Sequence, residues 1–94
     1  MSVYAIYSSI RYRNDLTSEV TYGKGPMLLT HYSMGYYLPY LFSSIEEATN
    51  FLYEHWNIGT KVHKTTYLSK FREVPNSSHV FEFTMYNIRE VKVS

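Results

Sequence analysis

The chain holds four histidines and eight carboxylates, the residue types best suited to metal or acid–base chemistry, but their spacing supports neither. The histidines are His31, His55, His63 and His79. No two of them are four residues apart, the separation that places two imidazoles on one helical face to bind zinc. Nucleophilic catalysis needs an activated hydroxyl, yet no GxSxG sequence occurs and Asp15 is the single aspartate. We therefore predict no enzyme activity, no catalytic residue, no metal site and no cofactor.

The glycine-rich segment GKGP at 23–26 invites comparison with a phosphate-binding loop. A P-loop has the pattern GxxxxGK[ST] and leads into a helix, whose N-terminal amides bind the phosphates. Here a proline follows the second glycine, and the next residues favour a strand. We therefore expect the segment to form a turn that ends the preceding strand.

Basic residues alternate with aromatic residues in two segments, IRYR at 10–13 and KVHKTTYLSKFR at 61–72. Single-stranded nucleic acids bind to this combination, because bases stack on the rings while Lys and Arg neutralise phosphates. The candidate residues are Arg11, Arg13, Lys61, Lys64, Lys70 and Arg72. The net charge is only +1 and no RNP motif is present. A nucleic-acid-binding module is therefore the alternative function, and a solvated basic strand edge explains the same residues without any ligand.

The segment HYSMGYYLPYLF at 31–42 contains four tyrosines, a methionine and no charged residue. Gly35 and Pro39 interrupt a regular strand pattern, so the segment cannot bury every ring. We expect the apolar residues Leu38, Leu41 and Phe42 to point inward. Exposed tyrosine and methionine are typical of the centres of protein interfaces. The predicted partner-binding residues are Tyr32, Met34, Tyr36, Tyr37 and Tyr40.

The composition is that of one folded domain spanning residues 1–94, with 45% apolar and 18% aromatic residues. There is no cysteine, which fits a reducing compartment. The first residues show no signal-peptide pattern, and no apolar run approaches the roughly 20 residues that a membrane helix needs. We expect a cytoplasmic protein that does not bind membranes.

One helix is expected at about residues 44–57. Ser43 and Ser44 are both good N-caps, and each is followed three residues later by a glutamate. The apolar residues Ile45, Ala48 and Leu52 then recur at helical spacing. Gly59 lies where a C-cap glycine is expected.

Strands are predicted on both sides of this helix, from runs rich in β-branched and aromatic residues. The predicted strands and extended segments are 3–12, 19–22, 27–33, 61–69 and 79–88. A turn at 13–16 should join the first two strands, and 74–78 should be a loop. In the last strand Phe81, Phe83 and Met85 share one face, and a bulge or a turn near Asn87 would explain why the apolar pattern then changes.

The predicted fold is therefore α+β, an antiparallel sheet of four to five strands with a single helix packed on one face. In its length, composition and lack of a catalytic motif the whole chain resembles the accessory proteins of bacteriophages. That resemblance implies a small phage-encoded inhibitor or modulator, which binds a host enzyme or defence complex. Residues 31–42 would form its contact with the host protein, and a second copy of the chain is a further candidate partner.

Overall fold

A computed structural model describes residues 2–92 as an α+β fold, with one helix lying against an antiparallel sheet. The elements in chain order are β1 Ser2–Asn14, β2 Val20–Leu28, β3 Thr30–Ser33, β4 Tyr36–Pro39, β5 Leu41–Phe42, α1 Ile45–His55, β6 Ile58–His63, β7 Thr66–Ser69, β8 Arg72–Glu73 and β9 Val80–Lys92. The main sheet has seven strands rather than the four to five predicted, in the order β2-β1-β9-β7-β6, with β5 beside β1 and β8 beside β9. Strands β3 and β4 form a separate two-stranded sheet.

The centre of the fold is the antiparallel ladder between β1 and β9. It runs without a register shift from the pair Ser2 and Lys92 to the pair Asn14 and Val80. The bulge or turn predicted near Asn87 is therefore wrong. Asn87 pairs with Tyr7 in a regular strand, and its Oδ1 accepts a 2.8 Å hydrogen bond from Thr66 Oγ1, so its polar side chain is satisfied within the sheet.

The core lies between α1 and one face of this ladder. Ile6 and Ile88 pair across the two central strands and are almost completely buried, as are Ala48 and Leu52 of the helix. Since cross-strand partners share a face, the even-numbered residues of β1 and β9 lie on the side of the sheet against which the helix packs. Phe83 lies instead on the opposite side of the sheet, which we call the far face. The apolar pattern changes along β9 because the strand contributes Phe83 to one face and Ile88 to the other.

The predicted helix is confirmed, with the bounds Ile45–His55. Ser44 is its N-cap and accepts a 3.1 Å hydrogen bond from the backbone N–H of Glu47. The Glu47 carboxylate accepts hydrogen bonds from the backbone N–H and the hydroxyl of Ser43, so both serines take part in the cap. The C-cap predicted at Gly59 is wrong, because the helix ends at His55 and Trp56 is its C-cap. Gly59 lies within β6, where an added Cβ would come 3.3 Å from the carbonyl oxygens of β7.

Two strand predictions also need correction. The segment GKGP does not end the strand at residue 22, because β2 continues through it with register shifts opposite Ser8 to Arg11. Bulges absorb the irregular residues, and β2 is an edge strand, where a proline without an N–H is tolerated. The strand predicted at 61–69 is in fact the hairpin of β6 and β7, with a turn at Lys64 and Thr65.

Candidate functional site

The predicted interface segment forms a β-hairpin that stands outside the main sheet. We call residues 30–39 the aromatic hairpin. Its strands pair Tyr32 with Tyr37 and Ser33 with Tyr36, and the turn between them is Met34-Gly35. Met34 has φ 50° and Gly35 has φ 86°. Two positive φ angles in a two-residue loop are characteristic of the type I′ turn, whose twist matches that of the strands that it joins.

Four of the five predicted contact residues are exposed on this hairpin. The exposed fractions are 65% for Tyr32, 93% for Met34, 71% for Tyr36 and 76% for Tyr37. Tyr32 and Tyr37 lie on one face of the hairpin, and their ring centroids are 5.2 Å apart in an edge-to-face arrangement. The pairing places Tyr36 on the opposite face, and Met34 lies at the tip. The residues therefore surround the hairpin rather than form one flat patch.

The fifth residue, Tyr40, is half-buried and connects the hairpin to the core. Its ring centroid lies 4.7 Å from that of Phe51 on the helix and 4.7 Å from that of His31. Its backbone N–H donates to the carbonyl of Leu29, and the N–H of Leu29 donates to the carbonyl of Ile6. The base of the hairpin is thus fixed to the core, whereas its tip is not.

Of the three residues predicted to point inward, only Phe42 does so. Phe42 packs against Phe51, with ring centroids 5.2 Å apart. Leu38 and Leu41 are 44% and 52% exposed, so these two predictions are wrong. Leu38 belongs to β4, which within residues 2–92 pairs only with β3. Leu41 pairs with Ala5, and the alternation of strand side chains then turns it away from the helix.

The six basic residues proposed to bind nucleic acid do not form one continuous surface. The register places Arg11 and Arg13 on the far face, whereas Arg72 pairs with Glu82 on the helix side and forms a 2.6 Å ion pair with it. Lys61 lies opposite Tyr67 on β6, also on the helix side, and Lys64 is in the β6–β7 turn. The predicted nucleic-acid-binding set is therefore divided between two faces and two ends of the sheet.

Lys70 and Arg72 line a groove of about 420 Å³ beside β9, together with Asn57, Ser69, Phe71, Glu82, Phe83 and Thr84. Ser69 Oγ accepts a 2.7 Å hydrogen bond from the backbone N–H of Thr84 at its wall. Because Glu82 compensates the charge of Arg72, the groove has little net positive charge.

Sequence reasoning missed a second set of contacts, in which arginines stack on aromatic rings. The Arg11, Arg13 and Arg89 guanidinium carbons lie 4.9, 4.1 and 5.1 Å from the ring centroids of Tyr22, Phe71 and Tyr7, respectively. No signal along the chain predicts these pairs, because each joins residues that only the strand register brings together.

Residues 2–92 contain no group of three or more His, Asp or Glu side chains that could hold a metal ion. Burial beneath the helix raises the pKa of Tyr86 above its ordinary value, although a hydrogen bond with the Thr84 side chain acts in the opposite direction. Tyr86 is almost completely buried and packs with Trp56. Its raised pKa thus results from burial in the hydrophobic core.

In the described part of the chain, no helix has the length and apolar character needed to cross a bilayer. Comparison of the chain with protein families, with curated proteins and with solved structures finds no match.

Proposed function

We propose that this chain is a small interaction protein that binds another protein through the aromatic hairpin and has no catalytic activity of its own. The partner contacts would be made by Tyr32, Met34, Tyr36 and Tyr37, while Tyr40 holds the hairpin in place. A phage-encoded inhibitor or modulator of a host enzyme or defence complex, acting in the cytoplasm, is the specific form of this proposal.

The observation that carries the proposal is the position of Met34. The first residue of a type I′ turn must adopt a positive φ, and Asn, Asp and Gly are the residues that favour it. Met34 adopts φ 50°, an angle that its residue type does not favour. Its side chain is 93% exposed, so burial does not compensate for the unfavourable backbone conformation. Residues whose conformational preference is violated without any gain in stability often belong to functional sites. An exposed thioether is also an adaptable contact for an apolar pocket.

The rest of the hairpin supports the same interpretation. From Leu29 to Ser44 the chain has no Asp, Glu, Lys or Arg. Several large aromatic and apolar side chains exposed on one element often mark a site of protein interaction. A two-stranded hairpin alone is marginally stable in water, and a bound partner would cover its free edges. The ring pair of Tyr32 and Tyr37 gives such a partner a rigid surface, which lowers the entropy lost on binding.

The proposal is tested by affinity capture from a nuclease-treated bacterial lysate, followed by identification of the bound protein and measurement of its affinity with the purified pair. The variant is the double substitution Tyr32→Ser and Tyr37→Ser. We expect it to remain folded and to lose at least about 2 kcal/mol of binding free energy, as removal of interface hot spots does.

The matched control is Tyr22→Ser, which removes another exposed tyrosine, 59% exposed on β2, outside the hairpin. This variant should capture the same protein with unchanged affinity. If the hairpin double variant binds the partner as tightly as the parent, the contact surface lies elsewhere and the proposal is wrong.

A further inference from the structure

The far face of the main sheet carries three of the chain's four arginines, each stacked on an aromatic ring. Arg11 stacks on Tyr22 of the neighbouring strand, and Arg13 stacks on Phe71. Phe71 itself packs edge-to-face on Phe83, with ring centroids 4.8 Å apart. Arg89 on β9 completes the series over the ring of Tyr7. From Tyr7 to Arg13 this row spans six residue-to-residue steps of β1, about 20 Å at the usual rise of a strand.

The positive charge of this row is only partly compensated. Arg13 forms a 3.0 Å ion pair with Asp15, and the register places Glu73 at the same end of the face. Arg11 and Arg89 form no ion pair with a carboxylate among residues 2–92. The Nε–H of Arg11 is buried and has no hydrogen-bond acceptor within those residues. An anionic group at this guanidinium would therefore meet an uncompensated charge.

From this geometry we infer that the far face binds single-stranded nucleic acid. A guanidinium stacked on a ring leaves its outer surface free for a base, because bases stack on arginine planes as well as on aromatic rings. Except for the buried Nε–H of Arg11 and the Nε–H of Arg13, which donates to Asp15, the N–H groups at its edge can donate to phosphate oxygens. Tyr22 is 59% exposed and Phe71 is 40% exposed, so both rings also offer stacking surface. This inference concerns a surface separate from the aromatic hairpin and does not depend on the function proposed above.

Two other occupants fit the face less well. A second copy of the chain related by two-fold symmetry would place this arginine row against itself, and like charges at an interface are costly. An acidic protein segment would satisfy the charges but would make little use of the rings. A nucleic acid strand supplies phosphates for the arginines and flat bases for the rings.

The test is fluorescence anisotropy with labelled oligo(dT) and oligo(rU) strands of about 12 nucleotides, within the usual range for a single-strand-binding fold. A duplex of the same length and a poly-glutamate peptide of similar charge are measured in parallel. We expect binding of at least one single strand, and weaker binding of the duplex and the peptide. The variant Arg11→Gln with Arg89→Gln should weaken strand binding at least tenfold, and the slope of log affinity against log salt should fall by about 1.4 for two lost phosphate contacts.

The matched control is Lys61→Gln with Lys64→Gln, which removes the same charge from β6 and the β6–β7 turn. It should change strand binding less than threefold. Tyr22→Ala on the edge strand β2 leaves the arginines in place and should weaken binding at least about fivefold, the lower bound for one lost stacking contact. Circular dichroism checks that each variant is folded, and the tyrosine variant decides the question if the arginine variant unfolds.

Three results would overturn the inference: no binding of either strand at low salt, equal losses in the arginine and lysine variants, or poly-glutamate binding as tightly as the strands. The hairpin variant Tyr32→Ser with Tyr37→Ser should bind the strands as the parent does. Loss of partner capture and loss of strand binding therefore test separate surfaces.

Discussion

The hydroxyl oxygen of Tyr67 lies 3.0 Å from the hydroxyl oxygen of Thr49, and this hydrogen bond joins the sheet to the helix. The Tyr67 ring is 2% exposed and belongs to the core cluster beneath α1. A buried phenol needs a partner for its hydroxyl, and the helix supplies Thr49, five residues after its N-cap Ser44. The pair therefore adds one directional contact between α1 and β7 to the apolar packing of the core.

Removal of this hydrogen bond should lower stability by a modest amount. We expect Tyr67→Phe to reduce the free energy of unfolding by about 1 kcal/mol, because the Thr49 hydroxyl loses its partner and the packing hardly changes. Thr49→Val should cost a similar amount, and the double variant less than the sum. Urea unfolding of the three variants gives the coupling energy. Additive losses would show that the two hydroxyls do not interact, and Tyr53→Phe, at an exposed tyrosine of the same helix, serves as the control.

Leu52 should be the helix residue whose truncation is most costly. Its side chain is completely buried between α1 and the central ladder. Leu52→Ala should reduce the free energy of unfolding by about 2–5 kcal/mol, since it removes apolar contacts and leaves a cavity. Asn50→Ala, on the exposed side of the same helix, should change it by less than about 0.5 kcal/mol. Equal melting temperatures for the two variants would contradict the packing described for the helix.

The sequence was most informative where local signals decide the structure. The serines before Ile45 and the stripe of Ala48 and Leu52 predict the helix, because capping and amphipathicity act within a few residues. The long strands β1 and β9 were also predicted from their β-branched and aromatic residues. The β6–β7 hairpin was not, since its turn of Lys64 and Thr65 lacks the glycine or asparagine that marks a tight turn.

The candidate surfaces were predictable to a different extent. A charge-free segment rich in tyrosine suggested exposed rings, and the structure places Tyr32, Tyr36 and Tyr37 at the surface. The position of Met34 in a positive-φ turn could not be predicted, because it depends on which residues pair across the hairpin. The arginine stacks on the far face depend in the same way on strand register, which pairs Arg11 with Tyr22 although they are eleven residues apart.

The raised pKa of Tyr86 gives a pH dependence with a definite sign. In the unfolded chain this phenol ionises near pH 10, whereas burial in the folded state shifts ionisation to higher pH. Above pH 10 the unfolded state therefore binds fewer protons than the folded state, and stability falls as the pH rises toward the raised pKa. Below pH 10 the phenol is protonated in both states, so it does not contribute to the pH dependence of stability. Unfolding measured from pH 8 to alkaline pH should show a shallower decline for Tyr86→Phe than for the parent, and parallel curves would contradict the shift.

The aromatic hairpin offers a substitution that should increase stability and decrease binding. Met34→Asn places at the first turn position a residue that tolerates positive φ, and Asn-Gly is the preferred type I′ pair. We expect the free energy of unfolding to rise by a few tenths of a kcal/mol to about 1 kcal/mol, since the strain at φ 50° is relieved and an exposed side chain loses no packing. Capture of the protein partner should fall, because the tip loses its thioether.

The opposite effects distinguish a contact residue from a structural one. If Met34 supports the fold, Met34→Asn should destabilise the hairpin, and binding should fall only as far as folding does. Gly35→Ala provides the comparison, because its φ of 86° makes any side chain unfavourable there, so this variant should lose stability and binding together. Thermal unfolding and partner affinity, measured on both variants, separate the two cases. A Met34→Asn protein that is more stable and still binds the partner with full affinity would show that the tip of the hairpin does not contact the partner. The tyrosines on the two faces of the hairpin would then have to supply the binding energy.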